Sequence, residues 1–289
     1  MHQRAVRNLA KLDTTQARMT RIFDAAAGGK NNFQADKDMV RHFEQAAPVL
    51  TTAARAVLQF LARVVHHLAA VEGVDQFMII GSGVPSGLPA GRRLHDIARQ
   101  ASPSPAVRVV YVENNPMVVT MAQATIEPFS DLVRVVDGDA REIDDMLGDR
   151  VVQTFLDWDS PIAVLLLSAQ SLDDEEYAHY VIKRLRHTAP AGSFLALVHT
   201  TFDAVPPELL PAVRDVLAMT LPHLAIRTKE EVEGLLDGLD LVDPGLVWVP
   251  QWHPGTGDPG TGDPGTGDDL ACADQPPTSG NYGAVAHIP

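Results

Sequence analysis

The segment Gln76-Phe77-Met78-Ile79-Ile80-Gly81-Ser82-Gly83 constrains this chain more than any other. An apolar-biased run of five residues ends in Gly-x-Gly. A run with no polar alternation reads as a strand buried on both faces, the habit of a parallel sheet. The glycines then mark a turn where a ligand can approach bare backbone. About thirty residues on, Val109-Val110-Tyr111-Val112-Glu113 repeats the strand signature and ends in an acid. A carboxylate there can accept both hydroxyls of a ribose. Position 79, where many loops of this kind carry an acid, is isoleucine.

Strand and helix patterns alternate from residue 76 onward. Strands are expected at 76–80, 107–112, 133–136, 162–167 and 193–199, with helices near 92–101, 115–126, 141–156 in pieces, and 173–188. The last helix opens on Asp173, Asp174, Glu175 and Glu176 and closes on Lys183, Arg184, Arg186 and His187, matching the helix dipole. This alternation implies parallel strands joined by right-handed crossovers. Upstream, residues 14–72 read as helical. Thr14 and Thr15 are placed to cap a helix that runs through Ala27 and stops at Gly28-Gly29. A second helix runs to Ala47, before Pro48, and a third spans Thr51–Glu72 with apolar positions near a 3.6 period. Downstream, helices are expected near 207–220 and 228–236, an extended segment at 239–249, and a final strand at Tyr282–Ile288. Residues 254–269 repeat Gly-Thr-Gly-Asp-Pro and read as a disordered linker between two adjacent antiparallel strands.

Composition narrows the function classes. Apolar residues make up 45% of the 289, enough for a sizeable core. The formal charge is −14, and the five aspartates after residue 250, with no Lys or Arg there, leave −9 on the rest. An acidic chain without a basic stripe argues against a nucleic-acid partner. The longest apolar runs, Ile162–Leu167 and Phe194–Val198, fall far short of a bilayer span, and the polar, basic N-terminus shows no signal peptide. A cytoplasmic location is expected. Cys272 is the single cysteine, so an intrachain disulfide and a cysteine-based metal site are excluded. The spacing of His66, His67 and His95 gives no support to any metal site.

Ligands of an open α/β sheet bind beyond the carboxyl ends of the strands. Those ends carry Gly81, Ser82 and Gly83; Glu113 and Asn114; Asp139 and Ala140; Ser168; and His199. Together they suit a ligand containing adenosine. The glycine backbone would approach a ribose or a carboxylate tail, and Glu113 would take the ribose hydroxyls. Asp139 would accept the adenine amino group while the Ala140 amide donates to a ring nitrogen. Asp139 is equally placed to cap the next helix. A dinucleotide fits less well, because Val84-Pro85-Ser86-Gly87 makes the glycine spacing one residue too long and Pro85 and Pro89 oppose an immediate helix start. No triphosphate-binding loop is present. His199, ending an apolar strand, is placed either as a general base or as a hydrogen-bonding partner for a neighbouring loop.

With these residues in view, the chain resembles the actinobacterial S-adenosylmethionine-dependent methyltransferases of family 19, once a domain of unknown function. The resemblance rests on Arg21-Ile22-Phe23-Asp24, Gly28-Gly29-Lys30-Asn31-Asn32-Phe33, Val110-Tyr111-Val112-Glu113-Asn114-Asn115-Pro116, Gly138-Asp139-Ala140-Arg141, Asp157-Trp158-Asp159-Ser160-Pro161, Arg227-Thr228-Lys229-Glu230-Glu231 and Tyr282-Gly283. The Gly-Gly-Lys-x-Asn-Phe block is its most specific element. The resemblance implies an α/β class I methyltransferase fold, Rossmann-like, with a seven-stranded mostly parallel sheet and a helical cap at residues 1–73. The sheet domain would comprise 74–252 and 281–289, with 253–280 as the repeat-bearing loop. It further implies S-adenosyl-L-methionine as cofactor, with Phe23, Asp24, Lys30 and Asn32 as cap residues that reach it. In a methyl transfer, His199 or Tyr282 would take the substrate proton. The expected partner is a small molecule, with a homodimer as an allowed assembly, and neither nucleic acid nor a membrane.

The chain departs from the family at Ile79, where aspartate is usual, in a loop after Gly83 about four residues longer than usual, and at Ser171, where histidine is frequent. Losing a charge-assisted hydrogen bond at position 79 costs ~1.5–3 kcal/mol, and an acid restored there is expected to tighten cofactor binding. Three functions follow as expectations. The first is methyl transfer to a small acceptor in specialised metabolism. The second is a member that binds the cofactor or its product but catalyses a cyclisation, elimination or rearrangement. The third is a non-catalytic binding protein.

Overall fold

The computed structural model describes residues 13–26, 28–46, 50–81, 83, 93–220, 224–254 and 271–289. Its strands are β1 (Gln76–Ile80), β2 (Arg108–Glu113), β3 (Val133–Asp137), β4 (Ala163–Leu166), β5 (Ser193–Thr200), β6 (Asp240–Leu241), β7 (Val247–Trp248) and β8 (Asn281–Ile288). They form one 8-stranded sheet in the order β3-β2-β1-β4-β5-β8-β6, with β7 also pairing β8. β1 to β5 are parallel, and β8 runs antiparallel to β5, β6 and β7. The expected class I sheet is present. The count exceeds seven because β6 and β7 are separate two-residue strands on the same side of the sheet.

Every residue of β1 is buried: residues 77–80 form the apolar run, and the Gln76 side chain is satisfied by the Asp157 amide and carbonyl. Alternate residues feed two cores. Phe77, Ile79, Tyr111, Leu165, Ala196 and Val285 face the helices Leu50–Ala70 (α3), Leu94–Ala101 (α4) and Pro116–Thr125 (α5). Met78, Ile80, Val112, Leu166 and Leu197 face Ile143–Leu147 (α6), Arg150–Phe155 (α7), Glu175–Thr188 (α8) and Lys229–Leu235 (α10). The remaining helices are Met19–Ala26 (α1), Gln34–Ala46 (α2) and Leu210–Thr220 (α9). Helix α3 shares its core with β1, β2 and β4. Its Phe60 ring lies so close to β8 that a Cβ on Gly283 would sit 2.6 Å from it.

Several helix ends follow their sequence signals. Asp174 caps α8 through the Tyr177 amide, Asn115 caps α5 ahead of Pro116, and Thr228 with Glu231 forms a reciprocal capping box on α10. Helix α1 does not. It starts at Met19 rather than at Thr14 or Thr15, because Asp13 accepts both the amide and the hydroxyl of Thr15 in a local turn. The Arg18 amide is instead satisfied by Asp36 Oδ1 from α2 at 3.0 Å, a cap eighteen residues away in sequence.

Beyond β7, the chain returns to α3. Arg63, 4% exposed, donates to the carbonyls of Val249 and Trp252 at 2.7 and 2.9 Å. The Ala271 amide donates to Gln59 Oε1 at 2.8 Å. Residues 255–270, which hold most of the repeat, lie outside the described residues.

Candidate active site

The sheet reverses its order between β1 and β4, and the glycine loop sits at that switch. Gly81 has φ +75 and Gly83 φ +82, in the left-handed region that favours glycine. A Cβ on Gly81 would lie 2.6 Å from the Ser168 Cβ at the end of β4. The Ser168 carbonyl accepts from the amide and the hydroxyl of Ser171, so the β4 end is a tight turn. Ser82 lies outside the described residues.

Glu113, 2% exposed, ends β2 and accepts the Gly83 amide on Oε1 at 2.7 Å, tying the loop to the neighbouring strand. One strand further, Asp139 caps the turn that begins at Ala140. Its Oδ1 accepts from the Arg141 amide, and its Oδ2 from Arg141 Nη2 at 2.6 Å and Asn114 Nδ2 at 2.9 Å. Burial alone would raise the Asp139 pKa, but these donors outweigh it and hold the carboxyl below its usual 3.8. Ala140 occupies the first position of the turn, where a backbone N–H has no intrahelical acceptor. The sequence-expected cofactor residues Gly81, Gly83, Glu113, Asn114, Asp139, Ala140 and Ser168 therefore border one edge of the sheet.

Helix α1 meets that edge: its Thr20 carbonyl would be 4.0 Å from a Cβ on Gly83. The Gly-Gly-Lys-x-Asn-Phe block folds onto its own acids. Asp24 Oδ2 accepts from the Asn31 amide at 2.9 Å and the Asn32 side chain at 2.7 Å, and a Cβ on Gly29 would overlap the Asp24 carboxyl. Burial pushes the Asp24 pKa up. The Phe33 amide donates to Asp36 Oδ2, which also pairs with Arg21 at 3.0 Å, and both side chains are buried. Phe23 packs against the core beside α3, and Lys30 is exposed. Asp24 and Asn32 thus hold the block's own turn.

In β5, on the other side of the strand switch, His199 is fully buried with both ring nitrogens engaged. Nδ1 lies 2.8 Å from the Thr200 carbonyl, and Nε2 lies 2.9 Å from Arg227 Nη1. Arginine can only donate, so the ring is the neutral Nδ1–H tautomer. Burial, with the Arg227 charge adding to it, lowers the His199 pKa to about 4. His199 was expected either as a general base or as a hydrogen-bonding partner for a neighbouring loop, and its Nε2 is engaged by Arg227. The same guanidinium donates to the Leu172 carbonyl and to Glu175 Oε2, both at 2.8 Å, linking β5, the β4–α8 connection and the start of α10. Tyr282, 4% exposed, donates its hydroxyl to Asp203 Oδ2 at 3.0 Å and stacks on Trp248. Burial and the Asp203 carboxylate raise its pKa. Asp203 Oδ2 also accepts the Lys229 amide at 2.9 Å. Arg227 and Asp203 were not legible as functional residues. Their partners come from distant segments, and only the run Arg227-Thr228-Lys229 hinted at either.

The sequence profile of the S-adenosyl methyltransferase family 19 matches residues 5–289. The chain belongs to this family. A DUF574 family protein from Streptomyces avermitilis is similar to it in structure, with 32% identity, a TM-score of 0.80 and coverage of 96% of this chain and 99% of that one. A protein from Thermobifida fusca described as a methyltransferase is 26% identical, with a TM-score of 0.80 over 96% of this chain and 97% of that one. Magnesium protoporphyrin IX methyltransferase from Synechocystis, solved with bound S-adenosylhomocysteine, shares the fold at 14% identity and a TM-score of 0.51, over 89% of this chain and 95% of that one. No curated protein matches the chain.

The protein is thus an S-adenosylmethionine-dependent methyltransferase, and its glycine loop fits that cofactor: a side chain is excluded at Gly81, and the Glu113 carboxylate at the end of β2 stands beside the loop, bonded to the Gly83 amide. At position 79 the methyltransferase keeps an apolar core. Ile79 is 1% exposed and lies in register between Tyr111 and Leu165. The Tyr111 hydroxyl accepts the His95 amide at 3.1 Å and shares a second hydrogen bond with His95 Nδ1 at 2.9 Å. Burial lowers the His95 pKa to about 4. Among the described residues no cluster of His, Cys, Asp and Glu could hold a metal ion, and no helix is long and apolar enough to cross a membrane.

Proposed function

We propose that this methyltransferase transfers the cofactor's methyl group to a small-molecule acceptor held beyond the carboxyl ends of β4 and β5. The observation that carries the reading is the Gly81–Ser168 close approach at the strand switch, with Glu113 bonded to the loop beside it. The sulfonium supplies the electrophilic methyl, and the chain's task is orientation for in-line attack. Gly81, Ser82, Gly83 and Ser168 would cradle the amino-acid portion, Glu113 and Asn114 the ribose, and Asp139 with the Ala140 amide the adenine. Helix α1, carrying Phe23 and Asp24, would close the cradle together with Lys30 and Asn32. We confine the cap to α1 and α2, since α3 belongs to the sheet core.

On the acceptor side we assign His199 a positioning role through Arg227, because neither nitrogen is available to a substrate proton. Tyr282 acts through Asp203, an exposed carboxylate braced by two donors on one oxygen and so suited to orient a substrate hydroxyl or amine. The acidic charge of −14 supports a small acceptor over a nucleic acid. We place the reaction in the cytoplasm and, on the altered positions 79 and 171, in specialised metabolism.

A second reading is favoured by one observation. Ile79 is built into the core within β1, so the departure at this position is integrated into the fold. In that reading the cofactor is bound while another reaction is catalysed. Incubation with S-adenosylmethionine and pooled small acceptors, followed by mass spectrometry, separates the two. Acceptor gaining one methyl with release of S-adenosylhomocysteine supports methyl transfer; acceptor conversion without either product supports the second reading.

A further inference from the structure

We propose that Arg141 competes with the adenine of the cofactor for the Asp139 carboxylate, and thereby sets both cofactor affinity and selectivity for adenine over other purines. The proposal rests on Asp139 being the adenine-reading acid. An ionised carboxylate offers about four lone-pair sites. Asp139 has filled them. Oδ1 accepts the Arg141 amide and Nε, each at 3.0 Å, and Oδ2 accepts Nη2 at 2.6 Å, Nε at 3.1 Å and Asn114 Nδ2 at 2.9 Å. An adenine amino group can donate there only by displacing a donor already in place.

The guanidinium is the donor free to leave. The Arg141 amide is fixed by the helical turn, and Asn114 continues directly from β2. The Arg141 side chain is 47% exposed, whereas Asp139 is only 14% exposed. Its backbone stays anchored when the side chain swings out, because the Tyr177 hydroxyl donates to the Arg141 carbonyl at 3.0 Å. Asp173 and Glu142 both stabilise the Arg141 charge from nearby. The exchange replaces a forked ion pair with a neutral amine donor. It demands a donor on the ligand, so hypoxanthine, with an oxygen in that position, cannot perform it.

The test is calorimetric titration of the full chain with S-adenosylhomocysteine and with S-inosylhomocysteine, for the native protein, Arg141→Ala and Arg141→Gln. Thermal melts of each variant establish that it is folded. The expected result is that both variants bind S-adenosylhomocysteine about tenfold more tightly, the scale of one charge-assisted bond no longer exchanged, while affinity for the inosine analogue moves far less. Weaker binding in both variants, or an equal change for both ligands, overturns the proposal. If the native protein and both variants bind neither ligand, the cofactor site itself is misassigned and the proposal falls with it.

Discussion

Arg227 Nη1 stands 2.9 Å from His199 Nε2 and occupies the one ring nitrogen able to accept a proton. The contact ties stability to pH. His199 and His95 each have a folded pKa of about 4 against 6.5 for the free side chain, with burial as the main cause. Between these values the unfolded chain binds protons that the folded chain refuses, so stability is complete above about pH 6.5, falls as pH drops towards 4, and levels below it. Each histidine contributes up to about 3 kcal/mol to that fall. Asp139, held below 3.8, acts only in the more acidic range beneath it. Denaturant melts across this window should show the loss, and His199→Ala should be less stable at neutral pH with a shallower slope. An unchanged slope would contradict the assignment.

Gly81→Ala should disable the cradle. The new Cβ would need φ near +75 and would lie 2.6 Å from Ser168. We expect a stability loss of about 1–3 kcal/mol and a fall of at least roughly tenfold in affinity for S-adenosylhomocysteine. Ser168→Gly in the same background should recover part of both, measured by melting and titration together.

Ile79→Asp puts two effects in opposition. An acid beside the glycine loop should tighten cofactor binding, while a carboxylate between Tyr111 and Leu165 in a site 1% exposed should lower stability. The expected outcome is a reduced melting temperature with a reduced dissociation constant. If affinity does not improve, the isoleucine is not what weakens the site.

Shortening the repeat should leave the fold intact. Its flanks are tied to Gln59 and Arg63, one turn apart on α3. Loop-closure entropy changes slowly with length, so deleting residues 260–264 should shift stability by well under about 1 kcal/mol. Circular dichroism melts of the deletion variant measure this.

Much of the sheet was legible because parallel strands are continuous apolar runs. β1 matches residue for residue at 76–80, and the last strand, expected from Tyr282, begins one residue earlier at Asn281. Helix α8 was legible from its charge asymmetry. The start of α1 was not, since its cap is Asp36, supplied by another helix, while the local Thr14–Thr15 signal is captured by Asp13. The same physics limits the site. Gly81, Glu113 and Asp139 follow strands and could be read in order along the chain. The commitment of His199 to Arg227, and of Tyr282 to Asp203, depends on residues 28 and 79 positions apart that only the folded sheet brings together.

The most direct test is calorimetric titration of S-adenosylhomocysteine into the native protein and into Glu113→Ala. The account predicts micromolar binding to the native protein and none measurable in the variant, because Glu113 secures the Gly83 amide and is the proposed acceptor for the ribose hydroxyls. Absence of binding to the native protein at millimolar ligand, or equal binding by the variant, would contradict it.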